Sequence, residues 1–216
     1  MSKSTRLRLV GLAAIFGSIA SIFLSISGFP LSFPSEPHRS IGKLMARKCL
    51  SLLGPGGQIH LIVRDTKAFE QPAADLQEEA FDREIRNSGS TIASVTRLQL
   101  NPLRPLEIPP GDLFQLIRKA SPSSVIVSFM GAPFLPADQL RNLGPAHCKI
   151  VAFCPGEIYK QTNLKGLFEA GLLHSAVISK PPSRSLQPAN RNFENLYRSI
   201  DSGNLADLPT REASAL

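Results

Sequence analysis

Hydrophobic and polar positions divide this chain into one long uncharged stretch followed by short apolar runs that alternate with amphipathic ones. No charged side chain occurs from Leu9 to Ser35, and Lys3, Arg6 and Arg8 stand immediately before that stretch. Residues 9–29 match a membrane-crossing helix, since roughly 20 apolar residues at 1.5 Å rise span a hydrocarbon core of about 30 Å. A cleaved signal peptide is the alternative, because Ser25 and Ser27 have small-x-small spacing and Gly28 and Pro30 break the helix nearby. Ala13, Gly17, Ser21 and Ser25 recur every four residues, a face on which a second helix can approach closely. Arg39, Lys43, Arg47 and Lys48 lie beyond the run and offset the first basic cluster, so charge alone leaves orientation open. An N-terminal, single candidate span favours an exported body. In the opposite orientation the second cluster would meet anionic lipid.

After Pro30, Pro34 and Pro37, the residues Ile41, Leu44, Met45, Cys49, Leu52 and Leu53 fall at helical spacing, predicting an amphipathic opening helix that packs on the body. Gly54-Pro55-Gly56-Gly57 ends it. That loop follows a helix and precedes a strand, the reverse of a phosphate-cradling arrangement, so it reads as a turn. Strands are then predicted at 59–63, 91–100, 124–130, 149–153 and 175–178, with helices at 72–86, 112–120, 136–143 and 162–170 between them. The second strand is the most polar and belongs near an edge; the third is the most apolar and belongs at the centre. Phe193, Leu196, Tyr197 and Ile200 predict a last helix, and residues from Ser202 onward read as a frayed tail. The division is therefore a segment 1–35, a linker and opening helix 36–57, an α/β domain 58–201 and a tail 202–216.

Alternating strands and helices imply a doubly wound, Rossmann-like parallel sheet of five strands in the order 2-1-3-4-5, with helices on both faces. In such sheets a ligand sits beyond the carboxyl ends of the strands, where the order reverses. The residues projected there are Arg64, Asp65 and Thr66, then Asn101, then Ser128, Met130 and Gly131, then Cys154, Gly156 and Glu157, and finally Ser179 and Lys180. The ligand-binding candidates are Asp65, Thr66, Asn101, Ser128, Gly131, Glu157 and Lys180.

Composition narrows the chemistry. The 216 residues carry a formal charge of +7, of which Lys3, Arg6 and Arg8 supply three. The modest excess left on the body, with no basic run interleaved with aromatics, argues against a nucleic-acid partner. Cys49, Cys148 and Cys154 show no metal-ligand spacing, and a strand between the last two holds them near 20 Å apart, so three thiols in or near the core are expected. His147 and His174 open the fourth and fifth strands, at the end opposite the crevice, while His60 lies inside the first strand and His38 in the linker. No Ser/His/Asp or Cys/His set assembles at the crevice, so no catalytic residue, metal ligand or cofactor is assigned. Asp65, Glu157 and Cys154 are the residues an enzyme of hydrolase type would have to use.

The segment Ile59-His60-Leu61-Ile62-Val63-Arg64-Asp65, a helix ending in Asn87-Ser88-Gly89, then Leu116-Ile117-Arg118-Lys119-Ala120 and Ser124-Val125-Ile126-Val127-Ser128 together resemble the amino-terminal lobe of type I periplasmic binding proteins, sugar-binding ones included. The resemblance runs from about Ile59 to Lys180 and implies that Asp65, Ser128 and Gly131 face a small-molecule ligand. Such receptors close two lobes on their ligand, whereas only about 36 residues follow the fifth strand here, too few for a second lobe. Tight binding would need a homodimer or a partner chain to complete the cleft. Phe69 and Phe134 are the aromatics placed for stacking on a sugar. The Pro-rich stretch 101–111 reads as a lid, a docking surface or a spacer. The expectation is a membrane-anchored or exported binding module of the cell envelope, with a docking scaffold and an enzyme as the other classes.

Overall fold

The computed structural model describes residues 18, 34–67, 70–99, 108, 110–144, 147–156, 162–180 and 192–208. The predicted span 9–29 lies outside these residues apart from Ser18, and among the described residues no helix is long and apolar enough to cross a membrane.

The body is built from α1 (Ser35–Leu52), β1 (Ile59–Arg64), α2 (Pro72–Asn87), β2 (Ile92–Leu98), α3 (Pro110–Lys119), β3 (Val125–Ser128), α4 (Ala137–Asn142), β4 (Lys149–Cys154), α5 (Leu164–Glu169), β5 (Ser175–Ser179), α6 (Phe193–Leu196) and β6 (Tyr197–Asp201). The opening helix starts at Ser35, inside the stretch read as a proline linker. Pro37 lies in its first turn, where a helix leaves backbone N–H groups unpaired and a missing one does no harm.

Six strands form one sheet in the order β2-β1-β3-β4-β5-β6: the five expected strands lie in the order 2-1-3-4-5, and a sixth, not expected, is added beyond β5. The added strand is β6, antiparallel to β5, with Ile178 opposite Arg198 and Val177 opposite Ser199. A last helix was expected there, but helix α6 stops after the single turn Phe193–Leu196. Its neighbour β5 has a free edge full of unpaired backbone groups, and pairing with that edge satisfies them for residues 197–201.

Alternation along the strands sorts side chains to two faces. Ile59, Leu61, Val63, Val125, Val127, Val151, Phe153 and Val177 pack under α1 and α2 with Ile41, Met45, Cys49, Phe81 and Ile85. Ile62, Ile126, Ile150, Ala152, Cys154, Ala176, Ile178 and Ile200 pack on the other face with Leu113, Ile117, Leu164 and Phe168. Strands β3, β4 and β5 are buried almost throughout, as central parallel strands must be. By contrast β2 is largely exposed and forms the opposite edge.

Two contacts fix the helical layer over β1. Gly42 lets α1 approach α2 so closely that a Cβ there would stand 2.2 Å from the Gln77 carbonyl oxygen. Arg97 on β2 forks onto Glu78 of α2 at 2.9 and 2.5 Å, tying helix to edge strand.

Candidate functional site

Because β1 leads outward to β2 on one side and β3 lies on the other, the chain order reverses between β1 and β3. The loops leaving those two strands therefore flank the place on the carboxyl rim where open parallel sheets hold a ligand. Side chains there divide into those committed to the loops and those left facing outward.

Asp65 follows β1 directly, and its amide donates to the Leu98 carbonyl at 2.9 Å, which prolongs the β1–β2 ladder by one residue. Its carboxylate accepts the Lys67 amide at 3.0 Å and lies 3.5 Å from the Gln99 side-chain amide. The Lys67 amide, more than any other cause, holds that carboxyl below its ordinary range, so the half-buried Asp65 is an anion with acceptor capacity to spare. Thr66 donates its hydroxyl to Asp75 at 2.8 Å and so fastens the loop to the first turn of α2. The Arg64 guanidinium lies 3.5 Å from Gln71 across the same loop.

On the β3 side, Ser128 is only 1% exposed. Its hydroxyl accepts the Met130 amide at 3.1 Å and donates to the Gly131 carbonyl at 2.8 Å. Ser128 thus shapes the turn instead of facing a ligand. Gly131 adopts φ 97°, a conformation that side-chain-bearing residues rarely take, which explains a glycine here. Beyond it Phe134 is 55% exposed and stands clear of the core.

The far side of the rim is tied together differently. The Gly156 amide, at the end of β4, donates to the Ser179 hydroxyl at 2.8 Å. Lys180 prolongs β5, its amide donating to the Leu196 carbonyl at 2.8 Å, and its ammonium donates to the Glu194 carbonyl. Since β6 runs antiparallel, its first residues reach the same rim. Arg198 stands there with its Nε buried and unpartnered. Reading the sequence missed this residue because its segment reads as a helix. The candidates Asn101 and Glu157, and the aromatic Phe69, lie outside the described residues.

Groups suited to nucleophilic or acid–base work stand elsewhere or are silenced. Cys154 is fully buried, and desolvation pushes its thiol up to about 12, so it is a neutral packing residue at physiological pH. Cys49 and Cys148 are likewise buried and free, pushed to about 12 and about 11. His147 and His174 meet edge to face with centroids 6.2 Å apart, at the opposite end of the sheet. Burial pushes His174 down to about 4, and its Nδ1 accepts the Ile150 amide at 3.2 Å. His60 pairs through Nδ1 with the Ser94 hydroxyl at 2.8 Å. Among the described residues, no group of three or more His, Cys, Asp or Glu side chains could hold a metal ion.

Two cavities flank edge strand β2. One of about 420 Å³ lies against α2, lined by Leu61, Glu78, Asp82 and Val95, and one of about 240 Å³ lies against α3, lined by Ile62, Leu98 and Leu113. Val95, in the lining of the first, is 43% exposed.

No protein-family model matches the chain, and no curated protein matches it in sequence. Solved structures do match in shape. A sugar-binding protein of a sugar ABC transporter from Bacillus halodurans aligns over 80% of this chain and 64% of its own, with a TM-score of 0.52 and 12% identity. A carbohydrate transporter solute binding protein from Agrobacterium radiobacter, in complex with D-arabinose, aligns over 79% and 61%, with a TM-score of 0.50 and 9% identity. The chain thus spans less than two thirds of the structures it matches. At such low identity the likeness concerns architecture: the chain carries the fold of one lobe of a type I periplasmic binding protein.

Proposed function

We propose that the chain is a solute-binding module of the cell envelope, one lobe of the sugar-binding type, held at the membrane by residues 9–29 and binding its ligand on the rim between β1 and β3. The observation that carries this reading is the reversal of strand order between β1 and β3, with the Asp65 carboxylate and the exposed Phe134 ring on the two loops that leave them, on a fold shared with solute binding proteins. A carboxylate accepting sugar hydroxyls beside an aromatic face is a chemically sensible pair for a carbohydrate. Gly131 and Thr66 keep the two loops in place, and Lys180, Asn101 and Glu157 are proposed to extend the contact. One lobe covers too little of a small ligand for tight binding, so a second copy or a partner chain would close over the rim.

Thermal unfolding of the full chain in a mild detergent, with D-arabinose, D-ribose and D-glucose each added at 10 mM, tests the reading. Ligand present at a hundred times its Kd stabilises by about 2.7 kcal/mol, a rise of roughly 5–10 °C for a chain of this size. A rise with one of these sugars that is lost in Asp65→Asn supports it; no rise with any of them overturns it. Cell fractionation tests the anchor, because removal of residues 1–34 should release the protein from membranes.

A second reading, a docking protein of the envelope, draws on Val95 standing exposed in the wall of the cavity against α2, on the edge strand β2. It predicts that Val95→Lys abolishes a cross-linked complex in envelope extracts while leaving sugar-dependent melting unchanged.

A further inference from the structure

We propose that the outer edge of β2 pairs with the same edge of a second copy of this chain, antiparallel and centred on Thr96, to make one continuous sheet. The inference rests on the docking reading, whose occupant it names, and is independent of the sugar reading. Its starting point is that the two edges of the sheet are finished differently. On β6 the Leu196 carbonyl accepts the Lys180 amide, so alternate residues from there face β5 and Ser199 and Asp201 turn their main-chain groups outward. Asn204 closes that edge from within the chain: its side chain donates to the Ser199 carbonyl at 3.0 Å and accepts the Asp201 amide at 2.7 Å.

The β2 edge has no such closure. Because the Leu98 carbonyl accepts the Asp65 amide, Ser94, Thr96 and Leu98 face β1, and Val95 and Arg97 turn both N–H and C=O outward. Among the described residues nothing meets those groups. Edges are commonly blunted by Pro, by Lys or by a bulge. Here the register shifts at Ala93, below the straight part of the strand, and residues 94–98 contain neither Pro nor Lys. The charge they do carry, on Arg97, is folded back onto Glu78, and Val95 is left exposed.

The occupant follows from self-complementarity. With a two-fold axis at Thr96, Val95 of each copy exchanges both main-chain bonds with Arg97 of the other, which uses every outward group of the two residues. Thr96 meets Thr96 across the axis, Ser94 meets Leu98, and no like charges stand directly opposite. Paired residues share a face, so each Arg97 comes to lie beside Val95 of the other copy, in the wall of a cavity lined by Asp75, Glu78, Glu79 and Asp82. The fork to Glu78 engages two of the guanidinium's five N–H donors, which leaves others for those carboxylates. An axis normal to the sheet sends the two carboxyl rims to opposite ends, so this contact covers neither of them.

Sedimentation equilibrium of the full chain in a density-matched mild detergent should show two chains associating. Val95→Pro deletes an outward amide in each copy and spares the ladder to β1, a place where an edge strand tolerates proline; self-association should weaken about tenfold or more. Thr96→Lys, which sets two ammonium groups against each other on the axis, should weaken it likewise and carries the test if Val95→Pro does not melt cooperatively. Register is read by disulfides. A non-hydrogen-bonded antiparallel pair holds its Cα atoms about 4.5 Å apart, within disulfide reach, so Thr96→Cys should link two chains under mild oxidation. Ser94→Cys should not link to itself across about 13 Å but should link to Leu98→Cys when the two are mixed. Cys49, Cys148 and Cys154 are buried and do not compete. Association unchanged in both Val95→Pro and Thr96→Lys overturns the proposal, and Ser94→Cys linking to itself as readily as Thr96→Cys overturns the pairing about Thr96. A wild type that stays a single chain at every concentration overturns it as well; if Thr96→Cys then links to a different protein in envelope extracts, the second copy is refuted and the docking reading survives.

Discussion

Replacing Gly42 with alanine sets helix propensity against packing, and the two give opposite signs. Within a helix alanine is favoured over glycine by about 0.8–1.0 kcal/mol, so propensity alone makes Gly42→Ala stabilising. The structure says otherwise. A Cβ at Gly42 would sit 2.2 Å from the Gln77 carbonyl oxygen, 2.9 Å from the Ala80 Cβ and 3.0 Å from the Phe81 amide nitrogen. Two of these are backbone atoms, which cannot rotate aside. Helices α1 and α2 must separate, and the interlock among Ile41, Met45, Phe81 and Ile85, all buried on this face, loosens with them. Overpacking typically costs about 1–3 kcal/mol, and backbone obstruction puts this site at the upper end. Net destabilisation of about 1–2 kcal/mol should remain, lowering the melting temperature by roughly 2–8 °C. Gly111 in α3 is the matched control, since a Cβ there meets nothing within 4 Å. Gly111→Ala should therefore raise stability by up to about 1 kcal/mol. Urea unfolding of both variants reads the two signs directly. Equal or greater stability in Gly42→Ala would refute the close α1–α2 contact.

Other perturbations probe the rim, the thiols and the histidines. Ser128→Ala removes the hydroxyl that serves the Met130 amide and the Gly131 carbonyl, leaving buried groups unmet, and should cost about 1–3 kcal/mol in urea unfolding. All three cysteines should react with a chromogenic disulfide at pH 8 only as fast as the body opens, because burial raises each thiol well above that pH. His174 has its pKa depressed from 6.5 to about 4 by burial, so between those values the unfolded chain binds the extra proton. Stability should be fully present above about pH 6.5 and fall as pH drops toward 4; His174→Gln should flatten that slope in urea titrations at successive pH values. His38 and His60, both lowered by burial, act in the same direction.

What could be read from residues alone followed from how many separate signals each element carried. The strands near 124–130 and 149–153 are largely apolar runs, and both emerge as central strands buried almost throughout. Exposure of β2 was legible in its polar alternation. β6 was not, because Phe193, Leu196, Tyr197 and Ile200 satisfy a helical period while residues 197–200 also alternate between faces. Only the vacant edge of β5 decides between them, and that is a tertiary fact. Arg198 was lost with the strand. Which residues leave the strand ends was legible from topology, but their engagement was not: Ser128 closes β3 as expected, yet the turn through Gly131 occupies its hydroxyl. Lys180 likewise sits at the rim with its ammonium turned toward a backbone carbonyl.

The sixth strand also changes what a single lobe can offer. A five-stranded sheet would end at β5, leaving its backbone groups unpaired and Lys180 on a bare edge. With β6 in place, that edge is covered, Lys48 of α1 reaches Asp201 at 3.1 Å, and Tyr197 stacks on Phe193 while packing on Phe153. The β5–β6 edge is thereby fixed by main-chain bonds along its length, by aromatic contacts near the rim and by the Lys48–Asp201 pair at the opposite end, whereas β2 at the other edge is held by one strand and the Arg97–Glu78 fork. The sheet is thus expected to open at β2 before the β5–β6 edge, an order that hydrogen exchange of the two edge strands reads directly.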